Sequence, residues 1–161
     1  MQRRFGMKES TSKYDLIIDS REKKPLNFRG AITRKLEFGD YGAEVDGQLL
    51  PVVFDRKSCN DFYSTLTSGH ERFKKEMLRA NDAGFKLIMI VESPYSDVLE
   101  RKFEGAHNIK MRHGIIEKIL HKMQVRYAGF EIVFCKDRKD MQKYIRNYFN
   151  ALNEEYHNIY K

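Results

Sequence analysis

Two short stretches hold the side chains best placed to do chemistry. Gly39-Asp40-Tyr41 sets a carboxylate after a glycine. Fifteen residues later, Phe54-Asp55-Arg56-Lys57-Ser58-Cys59-Asn60-Asp61 ends an apolar run with an acid, two bases and a second acid. On an extended strand alternate side chains share a face, so Asp55 and Lys57 stand together and Arg56 points the other way. A carboxylate and an ammonium at a strand's end, with a second carboxylate from the paired strand, suit phosphodiester hydrolysis. The acids would hold Mg²⁺, which binds through one or two acidic oxygens and keeps several waters. Lys57 would steer or help deprotonate the attacking water and balance charge building on the phosphate. A lone acid pair beside a lysine also fits an ordinary surface salt-bridge cluster, worth under about 1 kcal/mol.

The neighbouring elements must bring these groups together. Leu49-Leu50-Pro51-Val52-Val53-Phe54 reads as a buried strand, and the Asp46-Gly47 turn before it predicts a hairpin pairing 41–46 with 49–54. That hairpin closes the distance from Asp40 to Asp55. Tyr14 to Asp19 reads as a first strand delivering Asp19 to its end, followed by a Ser20–Arg29 stretch that Pro25 keeps irregular. Ala31 to Phe38 reads as a second strand. Ser58-x-x-Asp61 is a capping box, which makes Asp61 a helix-start residue that orients Arg56 or Lys57 and not a metal ligand.

Helices are expected at about 59–67, with Phe62, Tyr63 and Leu66 inward, and after Gly69, with Phe73, Met77 and Leu78 inward and Gly84 closing it. Phe85 to Glu92 is the clearest central strand, apolar throughout as befits one covered on both faces. A short helix over 95–103, a loop, and a basic cluster of Lys110, Arg112 and His113 follow, able to track a DNA backbone. Then come a helix over 114–126, a strand over 130–134 and a long helix from Asp137 to about Tyr160. The wide aromatic stripe of that last helix reads as core, with a self-association surface as the other reading. The pattern is α/β: an antiparallel meander first, then parallel strands joined through helices.

The ordered motifs resemble the nuclease domain of XPF-type structure-specific endonucleases, whose signature is GDxnERKxxxD. Gly39-Asp40, Asp55-Arg56-Lys57 and Asp61 carry it, and Asp19-Ser20-Arg21-Glu22 ahead of Pro25 looks like that family's D-x-R-E motif. The likeness runs over about residues 14–157. It implies a restriction-endonuclease-like (PD-(D/E)xK) mixed sheet flanked by helices and a Mg²⁺-dependent DNA endonuclease (Mn²⁺ also serving) that cuts branched or flap and junction DNA. Carried over residue by residue, Asp40, Asp55 and the backbone carbonyl of Arg56 would ligate metal, and Lys57 would assist the water. Arg56 and Arg21 would hold phosphate or order the acids, Asp19 and Glu22 would complete the acidic pocket, and Arg72 would face DNA. Members commonly work as dimers, so a homodimer or a protein partner is implied. One departure stands out: the family's glutamate is Asp55 here, a carboxylate retracted by one methylene. Two other readings therefore stay open, a catalytically silent DNA-binding or scaffold member, and a restriction-type enzyme acting on plain duplex.

Composition sets the outer bounds. The 161 residues fit one domain over 14–161 behind a disordered basic tail at 1–13. A net charge of +7 and a pI of about 9.3 favour a polyanionic partner, although a merely solvated basic face gives the same totals. Cys59 and Cys135 have no metal spacing, nor do the five histidines, so a reducing compartment is expected. The longest apolar run, Leu87 to Val91, is too short to span a bilayer, and no apolar leader opens the chain. XPF-type members usually append a helix-hairpin-helix or helicase domain, and neither is expected within these 161 residues. The expectation is a compact cytoplasmic nuclease of a prokaryote or a phage-infected cell.

Overall fold

The computed structural model describes residues 13–100 and 113–159. Strands β1 (Asp15–Asp19), β2 (Ile32–Arg34), β3 (Tyr41–Val45), β4 (Gln48–Leu49) and β5 (Val52–Lys57) come first. Helices α1 (Cys59–Leu66) and α2 (His70–Asp82) lead to β6 (Lys86–Glu92), then α3 (Tyr95–Glu100), α4 (His113–Arg126), β7 (Phe130–Cys135) and α5 (Arg138–Ile159). The sheet runs β2-β1-β3-β5-β6-β7, with β4 pairing β3. Strand β3 is antiparallel to β1, β4 and β5, whereas β5, β6 and β7 run parallel. This is the mixed sheet expected. The turn between β3 and β4 falls at Asp46-Gly47, both at positive φ (50° and 83°), as a two-residue hairpin turn of the primed type requires.

Each face of the sheet carries its own core. Strand β6 alternates between them: Leu87, Met89 and Val91 join Phe62, Phe73, Met77, Ile116 and Leu120 on one side. Ile88 and Ile90 join Phe54, Met141, Ile145 and Phe149 on the other. Helices α1, α2 and α4 therefore cover one face and α5 the other, which is why β6 reads as an unbroken apolar run. The stripe of α5 is mostly core: Met141, Ile145 and Phe149 are fully buried, and Tyr144, Tyr148, Leu152 and Tyr156 pack beside them.

Two expectations fail in detail. The strand expected over 31–38 shrinks to Ile32–Arg34, whose three residues are exposed at the sheet's edge, and it runs parallel to β1 instead of continuing a meander. Beyond Arg34 the ladder is replaced by side chains: Asp19 Oδ1 accepts the Leu36 N–H at 2.8 Å, and Arg21 Nη2 donates to the Leu36 carbonyl at 2.7 Å. In α2, Leu78 is 40% exposed; the inward face is Phe73, Met77 and Ala80, the i, i+4, i+7 row. The tail at 1–12, the end of the 95–103 helix, the loop after it, and Lys110 and Arg112 lie outside the described residues.

Candidate metal and phosphate site

The site is built where β5 leaves the sheet beside the turn into β3. Gly39 has φ +72°, and a Cβ there would sit 2.9 Å from the Phe54 carbonyl oxygen, so only glycine lets the turn press against β5. That closeness lets the Asp40 N–H donate to the Phe54 carbonyl at 2.7 Å, while the Asp40 carbonyl accepts from the Asp19 N–H at 2.8 Å. Asp40 is thus clamped between β1 and β5 by its own backbone. Gly39→Ala is expected to destabilise the protein by about 1–3 kcal/mol, read as a lower urea midpoint.

Strand parity then sorts the motif into two half-sites. Asp55 and Lys57 share the face of Val53, under α1 and α2; Arg56 shares the face of Phe54, under α5. On the first face, Asp40 lies within hydrogen-bonding reach of Asp55, and its Oδ2 accepts the Arg56 N–H at 2.8 Å. Lys57 Nζ stands 3.6 Å from Asp55 Oδ2. Asp55 is only 6% exposed, and its Oδ2 is buried without a hydrogen-bond partner. Burial, and after it the neighbouring Asp55 carboxylate, pushes the Asp40 carboxyl up to about 9. Burial works against the Lys57 charge, but Asp55, Asp40, Glu76 and Asp61 together outweigh it and hold the ammonium above its usual range.

On the second face Arg56 makes a two-pronged ion pair with Glu22, Nε at 2.9 Å and Nη2 at 3.2 Å, and Glu92 lies 3.5 Å from its Nη1. The Tyr41 hydroxyl donates to Glu22 at 3.2 Å and accepts the Leu26 N–H at 2.8 Å. Burial opposes the Glu22 charge, and the Arg56 hydrogen bonds and charge outweigh it, so its carboxyl lies below the usual range. Arg138, at the start of α5, lies 3.9 Å from Glu92 and donates to the Lys24 and Pro25 carbonyls at 2.9 and 2.7 Å.

Of the residues the sequence singled out, Asp40, Asp55 and Lys57 therefore come together. Glu22 and Arg56 pair behind them, on the opposite face. Asp19 is occupied by Arg21 (Nε at 3.0 Å) and by the Leu36 N–H, and Arg21 stays 60% exposed while holding it. The Arg56 main chain lies opposite Ile90 in the β5–β6 ladder. Arg72 is exposed on the first turn of α2. Asp61 is exposed, and its N–H donates to Ser58 Oγ at 3.2 Å, which caps α1. Ser58→Ala should cost about 1 kcal/mol in a urea titration and leave the acid pair in place.

The sequence reading missed Glu76, Glu92, Tyr41 and Arg138. Glu92 carried a usable signal, since like Asp55 it is an acid ending an apolar strand. Glu76 is polar beside the inward Phe73 and Met77, which is weaker. Tyr41 and Arg138 act through contacts no local pattern records.

Buried Asp55, with an oxygen that no hydrogen bond satisfies, and half-buried Asp40 beside it are hard donors that fit Mg²⁺ or Mn²⁺. Among the described residues no three His, Cys, Asp or Glu side chains gather to cage a metal ion. The pair suits an ion that keeps most of its waters, and not a closed zinc-type cage.

The ERCC4 domain model matches residues 18–148. The chain belongs to the ERCC4 domain family. No curated protein sequence matches this ERCC4 domain. Among solved structures it is similar to XPF from Aeropyrum pernix in complex with DNA, with a TM-score of 0.62 at 20% identity over 91% of this chain. XPF from Aeropyrum pernix solved by itself gives a TM-score of 0.63 at 21% identity over 84% of this chain. The chain spans 66% and 65% of those two chains. The ERCC4 domain described here is thus an XPF-type nuclease domain in architecture, with the restriction-endonuclease-like sheet. Among the described residues no helix is long and apolar enough to cross a membrane.

Proposed function

We propose that this domain is a DNA endonuclease that depends on a divalent metal, Mg²⁺ or Mn²⁺, and cuts branched or flap DNA. The observation that carries the reading is the Asp40–Asp55 pair, with a buried Asp55 oxygen that has no hydrogen-bond partner and the Lys57 ammonium 3.6 Å from it. Family membership supports it, as do the charge of +7 and a structural neighbour solved on DNA. Asp40 and Asp55 hold the ion, with the Arg56 carbonyl as a further ligand. When bound, the ion supplies a Lewis acid and an activated water. Lys57 orients that water and offsets charge on the phosphate. Arg56, fixed by Glu22, orders Asp40 through its N–H, and Asp19 with Arg21 sets the turn behind it. Exposed Arg21 and Arg72 meet the DNA backbone, with Lys110 and Arg112 adding to that contact. The active species is a homodimer or a complex with a protein partner, which light scattering tests.

Flap, fork, four-way junction and plain duplex, each with Mg²⁺, Mn²⁺ or EDTA, give the deciding experiment. Metal-dependent nicking of the branched substrates alone is expected. Binding without cutting in either metal would sink the enzyme reading in favour of a silent scaffold. Cutting at a short motif in unbranched duplex would instead mark a restriction-type enzyme.

A further inference from the structure

We infer that Glu76 is a third carboxylate of this site, holding a water of the bound ion and so setting the affinity for that ion. The inference rests on the metal-dependent reading above and names a residue that neither the motif nor the strand pattern includes. Phe73, Met77 and Ala80 anchor α2 on β6, over the same face of the sheet that carries Asp55 and Lys57 on the adjacent β5. That packing brings half-buried Glu76 within electrostatic range of both groups, on the side of the Gly39 N–H next to Asp40.

Nothing in the packing calls for a charge at position 76. The Gly39 N–H favours an oxygen nearby, which an amide supplies equally well. The surroundings oppose a charge, first through burial and then because Asp55 repels it. Lys57 is shared among the acids, and Arg79 lies with its guanidinium over the Phe38 ring, 5.5 Å from the centroid. Asp40, Asp55 and Glu76 against Lys57 leave two negative charges uncompensated when all are ionised, the charge of one divalent ion. The buried Asp55 Oδ2, which no hydrogen bond satisfies, points independently to that ion.

Direct ligation by all three acids does not fit, because they do not gather into a metal-binding trio. A glutamate set back from the pair fits a hydrated ion, reaching it through one of its waters. Its longer side chain, approaching from α2, offsets the retracted carboxylate of Asp55.

The test is Mn²⁺ binding by the full chain, followed by electron paramagnetic resonance of free Mn²⁺, beside thermal melts in EDTA. Glu76→Gln keeps the oxygen for Gly39 and removes the charge. It is expected to weaken Mn²⁺ binding by about tenfold or more, while the melting temperature in EDTA stays level or rises. Binding within twofold of wild type overturns the inference and leaves the metal reading standing. Weaker binding together with a lower melting temperature in EDTA also overturns it, since the glutamate would then be structural. If the wild-type chain binds no Mn²⁺, the metal reading falls and takes the inference with it.

Discussion

Asp55→Asn is expected to lower metal-dependent cleavage by about 10²–10³-fold or more while branched DNA still binds within a few-fold. The amide keeps the shape of a side chain that is only 6% exposed but removes a carboxylate oxygen that has no hydrogen-bond partner and faces only the Lys57 ammonium at 3.6 Å. Asp40→Asn should do the same, with a second signature in stability. The Asp40 carboxyl is pushed up to about 9, against an unfolded value of about 4. Between those values the native state binds the extra proton, so this group makes metal-free stability fall as pH rises. In EDTA, the stability of Asp40→Asn relative to wild type should therefore grow from pH 5 to pH 8, followed by urea unfolding. Mn²⁺ affinity should rise over the same window, because the ion displaces that proton. A difference that does not change with pH would mean that Asp40 is already ionised, and would remove burial and Asp55 as the forces acting on it.

Arg56→Ala is expected to fail differently, through the fold. The Glu22 and Arg56 side chains are 8% and 12% exposed, so truncating the arginine strands a buried carboxylate with Tyr41 as its remaining side-chain donor. Breaking such a pair from one side costs about 3–5 kcal/mol, a large share of the roughly 5–15 kcal/mol that holds a domain folded. The melting temperature should drop by roughly 6–20 °C. The sign with pH follows from Glu22, whose carboxyl lies below its usual range through Arg56. The pair's stabilisation is present above the unfolded value near 4.3 and is lost as pH falls through the depressed folded value. The gap between wild type and Arg56→Ala is therefore widest near neutrality and narrows in acid. A variant that melts like wild type at pH 7 would show that Glu22 finds other partners or water.

Much of this layout was legible in the chain because it depends on near neighbours. The Asp46-Gly47 turn, the apolar run into Asp55 and the Ser58 cap are local, and each falls where it was read except that the run breaks at Leu50-Pro51 into β4 and β5. The alternation of β5 likewise separated Asp55 and Lys57 from Arg56. The edge strand was not legible, because Leu36 and Phe38 are apolar and buried, yet side chains of Asp19 and Arg21 satisfy the backbone at Leu36 where a ladder would have. The bonds from Arg138 to the carbonyls of Lys24 and Pro25 join residues more than a hundred positions apart, beyond any local pattern. Glu76 looks like any solvated helix glutamate until α2 is laid against β5.

The opposite facings of neighbouring side chains on β5 have an evolutionary consequence. On the proposed reading one strand segment serves two tasks through alternate positions: Asp55 and Lys57 serve the reaction, and the Arg56 side chain serves the scaffold. On that reading a lineage can lose the Asp55–Lys57 pair, and with it catalysis, without loosening the buried Arg56–Glu22 tie. Paralogues that keep the shape and give up cutting are thus a single substitution away, and the arginine should be the last of the three to drift.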